Sequence, residues 1–229
     1  MSTSAIQLLG ILRKHSLRFF TTADVVILSG MKPSAATHTL SRLASQNLIT
    51  RIKRGIWANQ LADNLHPYEA VAPLASPWPA YVSLYSTLAD AGIIEEIPHI
   101  IYAVSSNRPG QYHTSLGHFH IHHLPEHLLW GYTIKQVGHA RYPIAEPEKA
   151  FLDLVYLALV PRSGLGFPNK RQKKWNLKKD KLKKYAARFK FPPLVDYLKR
   201  NVLIEDSIKN MRGSLKGIRT NVPRDKDRV

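Results

Sequence analysis

The sequence predicts an α+β protein in two parts, and three observations carry that prediction. Two short apolar stripes at helical spacing lie between Thr21 and Ser45, and an alternating, basic hairpin pattern follows them directly. Residues 81–160 mix β-branched and aromatic runs with one strong helical stripe, the pattern of a mixed α/β domain. Beyond Pro161 the chain turns densely basic while keeping apolar residues at helical spacing, which predicts a basic helical C-terminal extension. The expected boundaries are a head at 1–60, a linker at 61–80, the mixed α/β domain at 81–205 with basic helices after 161, and a basic, partly disordered tail at 206–229.

Within the head, Ser4 to Lys14 reads as an opening helix through Ile6, Leu8, Leu9, Ile11 and Leu12, and His15 to Phe20 as a connection whose phenylalanines pack beneath the helices. A second helix starts at Thr21 or Thr22, either of which can cap it, with Asp24 where a carboxylate favours the positive end of the helix dipole. Ser29-Gly30 ends it, because glycine is free to take φ > 0. A third helix begins near Pro33, whose ring presets the first helical turn, and Ala36, Leu40, Leu43 and Ala44 recur so that one stripe faces inward. The opposite face then presents Ser34, Thr37, His38, Ser41, Arg42 and Ser45, small polar side chains with one fork-shaped donor. Such groups suit phosphate oxygens and base edges. Leu48 to Lys53 alternates, Arg54-Gly55 turns and Ile56-Trp57-Ala58 returns, which predicts a hairpin carrying Arg51, Lys53 and Arg54. Helix, glycine, helix, basic hairpin is the plan of a winged helix-turn-helix that lays one helix in the DNA major groove and the hairpin beside it. On this reading Thr37, His38, Ser41 and Arg42 meet bases, with Ser34 beside them, while Arg51, Lys53 and Arg54 hold phosphate.

Pro67, Pro73, Pro77 and Pro79 break any long helix after the head, although Pro67 to Leu74 can make one or two turns. Leu84 to Ala91 is a short helix closed by Gly92, Ile100 to Val104 a strand, and Ser105 to Gly117 a polar loop. His118 to His122 alternates strictly as a strand, Tyr132 to Tyr142 holds further strand, and Pro143 to Glu146 is a turn. Pro147 to Leu159 is the strongest helix, with Phe151, Leu154, Val155, Ala158 and Leu159 inward. Two further helices follow, at 180–190 through Leu182, Tyr185, Ala186 and Phe189, and at 194–203 through Leu194, Tyr197 and Leu198.

Composition narrows the functions these elements could serve. A chain of 229 residues with net charge +17 and pI near 10.1 implies a polyanionic partner, and nucleic acid is the commonest. The charge is uneven: residues 1–64 hold 8 Lys/Arg against 2 Asp/Glu, residues 65–160 hold 4 against 8, and the remainder holds 21 against 6. Cysteine is absent, which excludes disulfides, thiolate metal sites and thiol catalysis. With no secretory signal and no apolar run long enough for a bilayer, a reducing cytoplasm fits best.

Three clusters invite chemistry. His118, His120, His122, His123 and His127 suggest a metal, but only Glu126 lies near as a carboxylate, and polar strand residues are the simpler reading. Glu146, Glu148, Lys149 and Asp153 suggest a metal-dependent nuclease, but Lys149 and Asp153 are i, i+4 neighbours suited to a surface ion pair, and the glutamates flank a helix start. No Gly-rich phosphate loop or nucleophile elbow occurs, so neither cofactor nor catalytic set is expected. The basic segment 170–190, with eleven Lys/Arg against Asp180 and interleaved aromatics, favours contact with DNA or RNA through Lys173, Lys174, Lys178 and Lys181.

The segment Leu48-Ile49-Thr50-Arg51-Ile52-Lys53-Arg54-Gly55-Ile56-Trp57, the run Tyr81 to Leu88 and the run Ile144 to Leu154 together resemble the AbiEi-type antitoxins of type IV, abortive-infection toxin–antitoxin systems, over about residues 5–160. The resemblance implies a promoter-binding repressor of its own operon. It further implies that the second domain helps to neutralise an AbiEii-type nucleotidyltransferase toxin without forming a stable complex. The Lys/Arg density after Pro161 departs from the family pattern. Two alternatives stay open: a winged-helix regulator with a ligand-sensing second domain and no toxin, and a DNA-processing enzyme using the 146–153 carboxylates.

Overall fold

The structure is a computed structural model that describes residues 5–161, 163–167 and 175–202. Its head runs α1 (Ala5–Lys14), β1 (Phe19–Thr21), α2 (Thr22–Ser29), α3 (Pro33–Ser45), β2 (Ile49–Lys53) and β3 (Ile56–Asn59). Leu8, Leu12, Val25, Ala36, Leu40, Leu43 and Trp57 share one core, which joins the three helices, whereas Ile6 of the expected first stripe is 80% exposed. α2 starts on a reciprocal cap: Thr21 Oγ1 accepts from the Asp24 amide at 3.0 Å, and Asp24 Oδ2 accepts from the Thr21 amide at 2.7 Å. Gly30, at φ 69°, ends α2 in the left-handed conformation.

The stretch expected to be a bare connection contains β1, which pairs antiparallel with β3 from Phe19↔Ala58 to Thr21↔Ile56. The sheet order is β1-β3-β2, and three residues are too few for alternation to reveal a strand. Inside 61–80, expected to be a linker, Pro67–Ala70 forms a 3-10 turn that continues into α4 (Val71–Ala75). Ala70, Val71 and Leu74 are fully buried in the same core as Ile52, Ile56 and Ala58 of the hairpin. Pro67 opens the 3-10 turn, where a missing N–H costs nothing, and Pro73 lies within the short α4, while Pro77 and Pro79 fall in the connection that follows it. This segment is core. Arg18 fastens it further, giving Glu69 a two-pronged ion pair at 2.8 and 2.9 Å and bonding the Asp63 and Asn64 carbonyls.

A six-stranded mixed sheet follows, ordered β6-β7-β5-β4-β9-β8. Its strands are β4 (Ala80–Val82), β5 (Ile100–Ser105), β6 (Gly110–Thr114), β7 (Gly117–His123), β8 (Tyr132–Val137) and β9 (Ala140–Ala145), with α5 (Leu84–Asp90) after β4. β6 lies in the expected polar loop; as an edge strand half open to solvent it lacks the apolar alternation that marks its partner β7. β9 passes through Pro143 to Ala145 where a turn was expected. It meets β4 at the single register pair Val82↔Ile144, so a missing N–H at Pro143 has little ladder to break.

One face of this sheet carries α5, α6 (Pro147–Leu159), α7 (Lys179–Phe189) and α8 (Pro192–Asn201). Leu182, Ala186 and Phe189 of α7 and Leu194 and Leu198 of α8 pack with Phe151 and Leu154 of α6. The basic helices are therefore seated on the second domain. The tail expected at 206–229 lies outside the described residues. Among the described residues no helix is long and apolar enough to cross a membrane.

Candidate nucleic-acid interface

α3 buries Ala36, Leu40 and Leu43, and the helical repeat then forces Ser34, Thr37, His38, Ser41, Arg42 and Ser45 to the exposed side. The helix carries no carboxylate, so nothing on that face opposes a polyanion. Thr37 Oγ1 donates to the Pro33 carbonyl at 2.9 Å, which orients the hydroxyl and leaves its lone pairs outward. Arg42 has no ion-pair partner among the described residues. Lys32 stands at the N-cap position of α3, exposed, beside the unpaired N–H groups of the first turn. A cation there has no partner in the helix dipole but reinforces an anion site. Sequence reading passed over Lys32, although its place immediately before Pro33 was the available signal.

The hairpin divides its three cations. Arg51 and Arg54 are exposed, and Arg54 sits on the turn with Gly55 at φ 76°. Lys53 goes elsewhere. A register irregularity between Arg51 and Lys53 rotates it toward the second domain, where its Nζ donates to the Leu74 carbonyl at 2.9 Å and lies 5.5 Å from the centre of the Tyr112 ring. Alternation places Lys53 on the face of Arg51; the irregularity removes it. Beside it, the hydroxyls of Thr50 and Ser115 are 3.0 Å apart, so the edge of the hairpin touches the β6–β7 turn.

In the basic segment, Lys173 and Lys174 lie outside the described residues. Lys181 is committed locally, with Nζ 3.0 Å from Glu146 and 3.3 Å from Glu148. The backbone N–H of Lys178 donates to Glu148 at 3.1 Å, while its side chain is exposed. Arg188 lies 4.2 Å from the centre of the Trp130 ring. Lys184 and Lys190 are exposed on α7 and its cap.

The acidic cluster does not converge on solvent. Lys149 and Asp153 form their i, i+4 pair, but fully buried rather than at the surface. Asp153 also accepts from the Tyr81 hydroxyl at 3.1 Å and the Ser83 hydroxyl at 2.9 Å. Burial pushes the Asp153 carboxyl up and the Lys149 amine down, each against the pull of the other. For Glu146, burial alone would raise the carboxyl, yet the Tyr185 hydroxyl and Lys181 ammonium together hold it below its ordinary value. These groups hold α6 and α7 to the sheet. Among the histidines, Phe119 and Ile121 are buried and His118, His120 and His122 share the other face, as alternation requires. His113 and His118 meet across β6 and β7 with their Nδ1 atoms 2.6 Å apart. Among the described residues no three metal-ligating side chains come together.

Residues 7–60 match a family model described as "Transcriptional regulator, AbiEi antitoxin". The matched span is the head, α1 through β3, and covers less than a quarter of the chain. No curated protein matches the chain.

Proposed function

Taking residues 7–60 as an AbiEi-type antitoxin regulator region, we propose that the chain is a DNA-binding transcriptional repressor of its own toxin–antitoxin operon. The head acts as a winged helix-turn-helix. α3 enters the major groove with Thr37, His38, Ser41 and Arg42 toward the bases, and Ser34 and Lys32 reach the backbone at its first turn. Arg51 and Arg54 hold flanking phosphate from the hairpin. One observation carries this reading: within the region matched to the regulator family, α3 exposes an unbroken polar face with an unpaired arginine and no acid among the described residues. The second domain and the exposed lysines of the C-terminal helices serve the antitoxin role, countering an AbiEii-type nucleotidyltransferase toxin without a stable complex, with DNA or RNA as the polyanion they meet. Its place of action is the cytoplasm.

The experiment is a titration of the full chain with its own promoter duplex and with random duplex at fixed salt. Promoter binding should be tighter, and Arg42→Ala should cost about 1–3 kcal/mol on the promoter alone, the amount expected for one bidentate guanine contact. Equal affinity for both duplexes, unchanged by Arg42→Ala, would refute the assignment. Co-expression with the adjacent reading frame, scored for rescue of growth, tests the antitoxin half separately.

A further inference from the structure

The hairpin does not stand clear of the second domain, and its seating brings further groups toward its turn. β2 runs alongside β6 in the opposite direction: Thr50 meets Ser115 at 3.0 Å, and three residues later the Lys53 ammonium lies over the ring of Tyr112, three residues earlier in the chain than Ser115. Continued along that course, the Arg54-Gly55 turn comes level with Gly110, where β6 begins. The bond from Lys53 to the Leu74 carbonyl brings the end of α4 to the same side. From there the 76–79 loop leads to β4, and its Pro79 carbonyl accepts from the Ser105 hydroxyl at 2.8 Å, at the end of β5. The same Ser105 oxygen accepts from the Asn107 amide at 3.1 Å, which fixes the turn leading to Arg108. The hairpin turn, the 76–79 loop and the 106–109 loop therefore gather at one end of the large sheet.

The chemistry of that end points to a polyanion. Residues 48–60, 71–89 and 97–125 contain no Asp or Glu, although 65–160 as a whole holds 8 of them against 4 Lys/Arg. The acids of the second domain thus come from other stretches of its chain. Arg54 and Arg108 are both exposed, and neither has an ion-pair partner among the described residues. Between two prolines of the 76–79 loop, Trp78 is 50% exposed. A wide ring held there offers contact area at little cost in side-chain freedom. A protein partner would need only the ring, whereas cations without acids beside it suit a sugar–phosphate backbone. Duplex DNA is also a rod charged along its whole length, so it continues past the hairpin onto whatever surface adjoins it.

We propose that this end of the second domain is a further DNA contact, reached by the duplex after it passes the hairpin. Arg108 holds a phosphate outside those held by Arg51 and Arg54, and the Trp78 ring lies against a neighbouring deoxyribose. The contact rests on the head binding operator DNA. Salt titrations and hydroxyl-radical footprints of the full chain on its promoter duplex test it, with Arg108→Ala, Trp78→Ala and the double variant checked for folding by circular dichroism. Arg108→Ala should weaken promoter and random duplex by the same factor and reduce the slope of log K against log salt by about one. Trp78→Ala removes no charge, so it should weaken binding and leave that slope alone. The double variant should lose protection of the sugars just beyond the hairpin while the footprint of α3 stays. An unchanged slope for Arg108→Ala, or full protection with the double variant, would overturn the proposal. Arg42→Ala separates it from the head reading: if that change lowers promoter preference while Arg108→Ala and Trp78→Ala alter nothing, this contact alone fails. If the chain shows no promoter preference and Arg42→Ala has no effect, both fail.

Discussion

At the scale of single residues, the most consequential group is one that touches no partner molecule. Asp153 holds a buried ammonium and two buried hydroxyls at once, linking α6 to the end of β4. Asp153→Ala leaves the buried Lys149 amine without its counter-charge, so chemical denaturation should register a loss of about 3–5 kcal/mol. Replacing both partners with apolar residues of similar volume should recover most of it, because neither charge then remains to be desolvated. His122 makes a prediction with a sign. Its folded-state value lies near 4, below the ordinary 6.5, so as pH falls the unfolded chain takes up the proton first. Stability from this ring is complete above its ordinary value and is lost on descent toward 4. Denaturation at about pH 7 and about pH 5 should show a smaller drop for His122→Gln than for the parent chain. An equal drop in both would mean that the ring titrates freely.

At the scale of elements, the hairpin shows how a local irregularity redistributes charge. Two of its three cations stay outward, and the third anchors the hairpin to α4. Arg51→Ala should reduce the slope of log K against log salt by about one. Lys53→Ala should leave that slope alone and cost about 1 kcal/mol of stability, the worth of one hydrogen bond. If Lys53→Ala instead flattens the salt dependence, its amine reaches phosphate in the complex and the Leu74 contact is given up on binding. The helices of the head were legible from their stripes and caps, because every signal they need lies within a dozen residues: Thr21 with Asp24, Gly30, Pro33, and the inward run from Ala36 to Leu43. β1 and β6 were not legible. A strand of three residues and a polar edge strand owe their existence to β3 and β7.

At the scale of the whole molecule, the hairpin is shared property. Ile52, Ile56 and Ala58 pack with Leu74, Val82 and Ile144, and Arg18 clasps Glu69. Head and second domain should therefore unfold in one transition. Trp57 in the head and Trp130 in the second domain, each kept as the sole tryptophan, should report coincident denaturation curves. Two separated transitions would show that the seam contributes little.

What the sequence determined alone was everything whose cause is local or additive: the α+β class, the helical stripes, the outward face of α3, and a net charge of +17 concentrated in the two ends of the chain. Those follow from periodicity, capping and composition, which no distant residue can revoke. What only the tertiary structure decided was where equivalent-looking groups end up. It sent Lys53 inward and Arg51 outward, buried the Lys149–Asp153 pair, turned a proline-rich stretch into core and gathered Arg108 with three histidines around one cleft. The physical reason is the same each time: a charge or backbone group is placed by the partner that can satisfy it, and that partner lies far away along the chain.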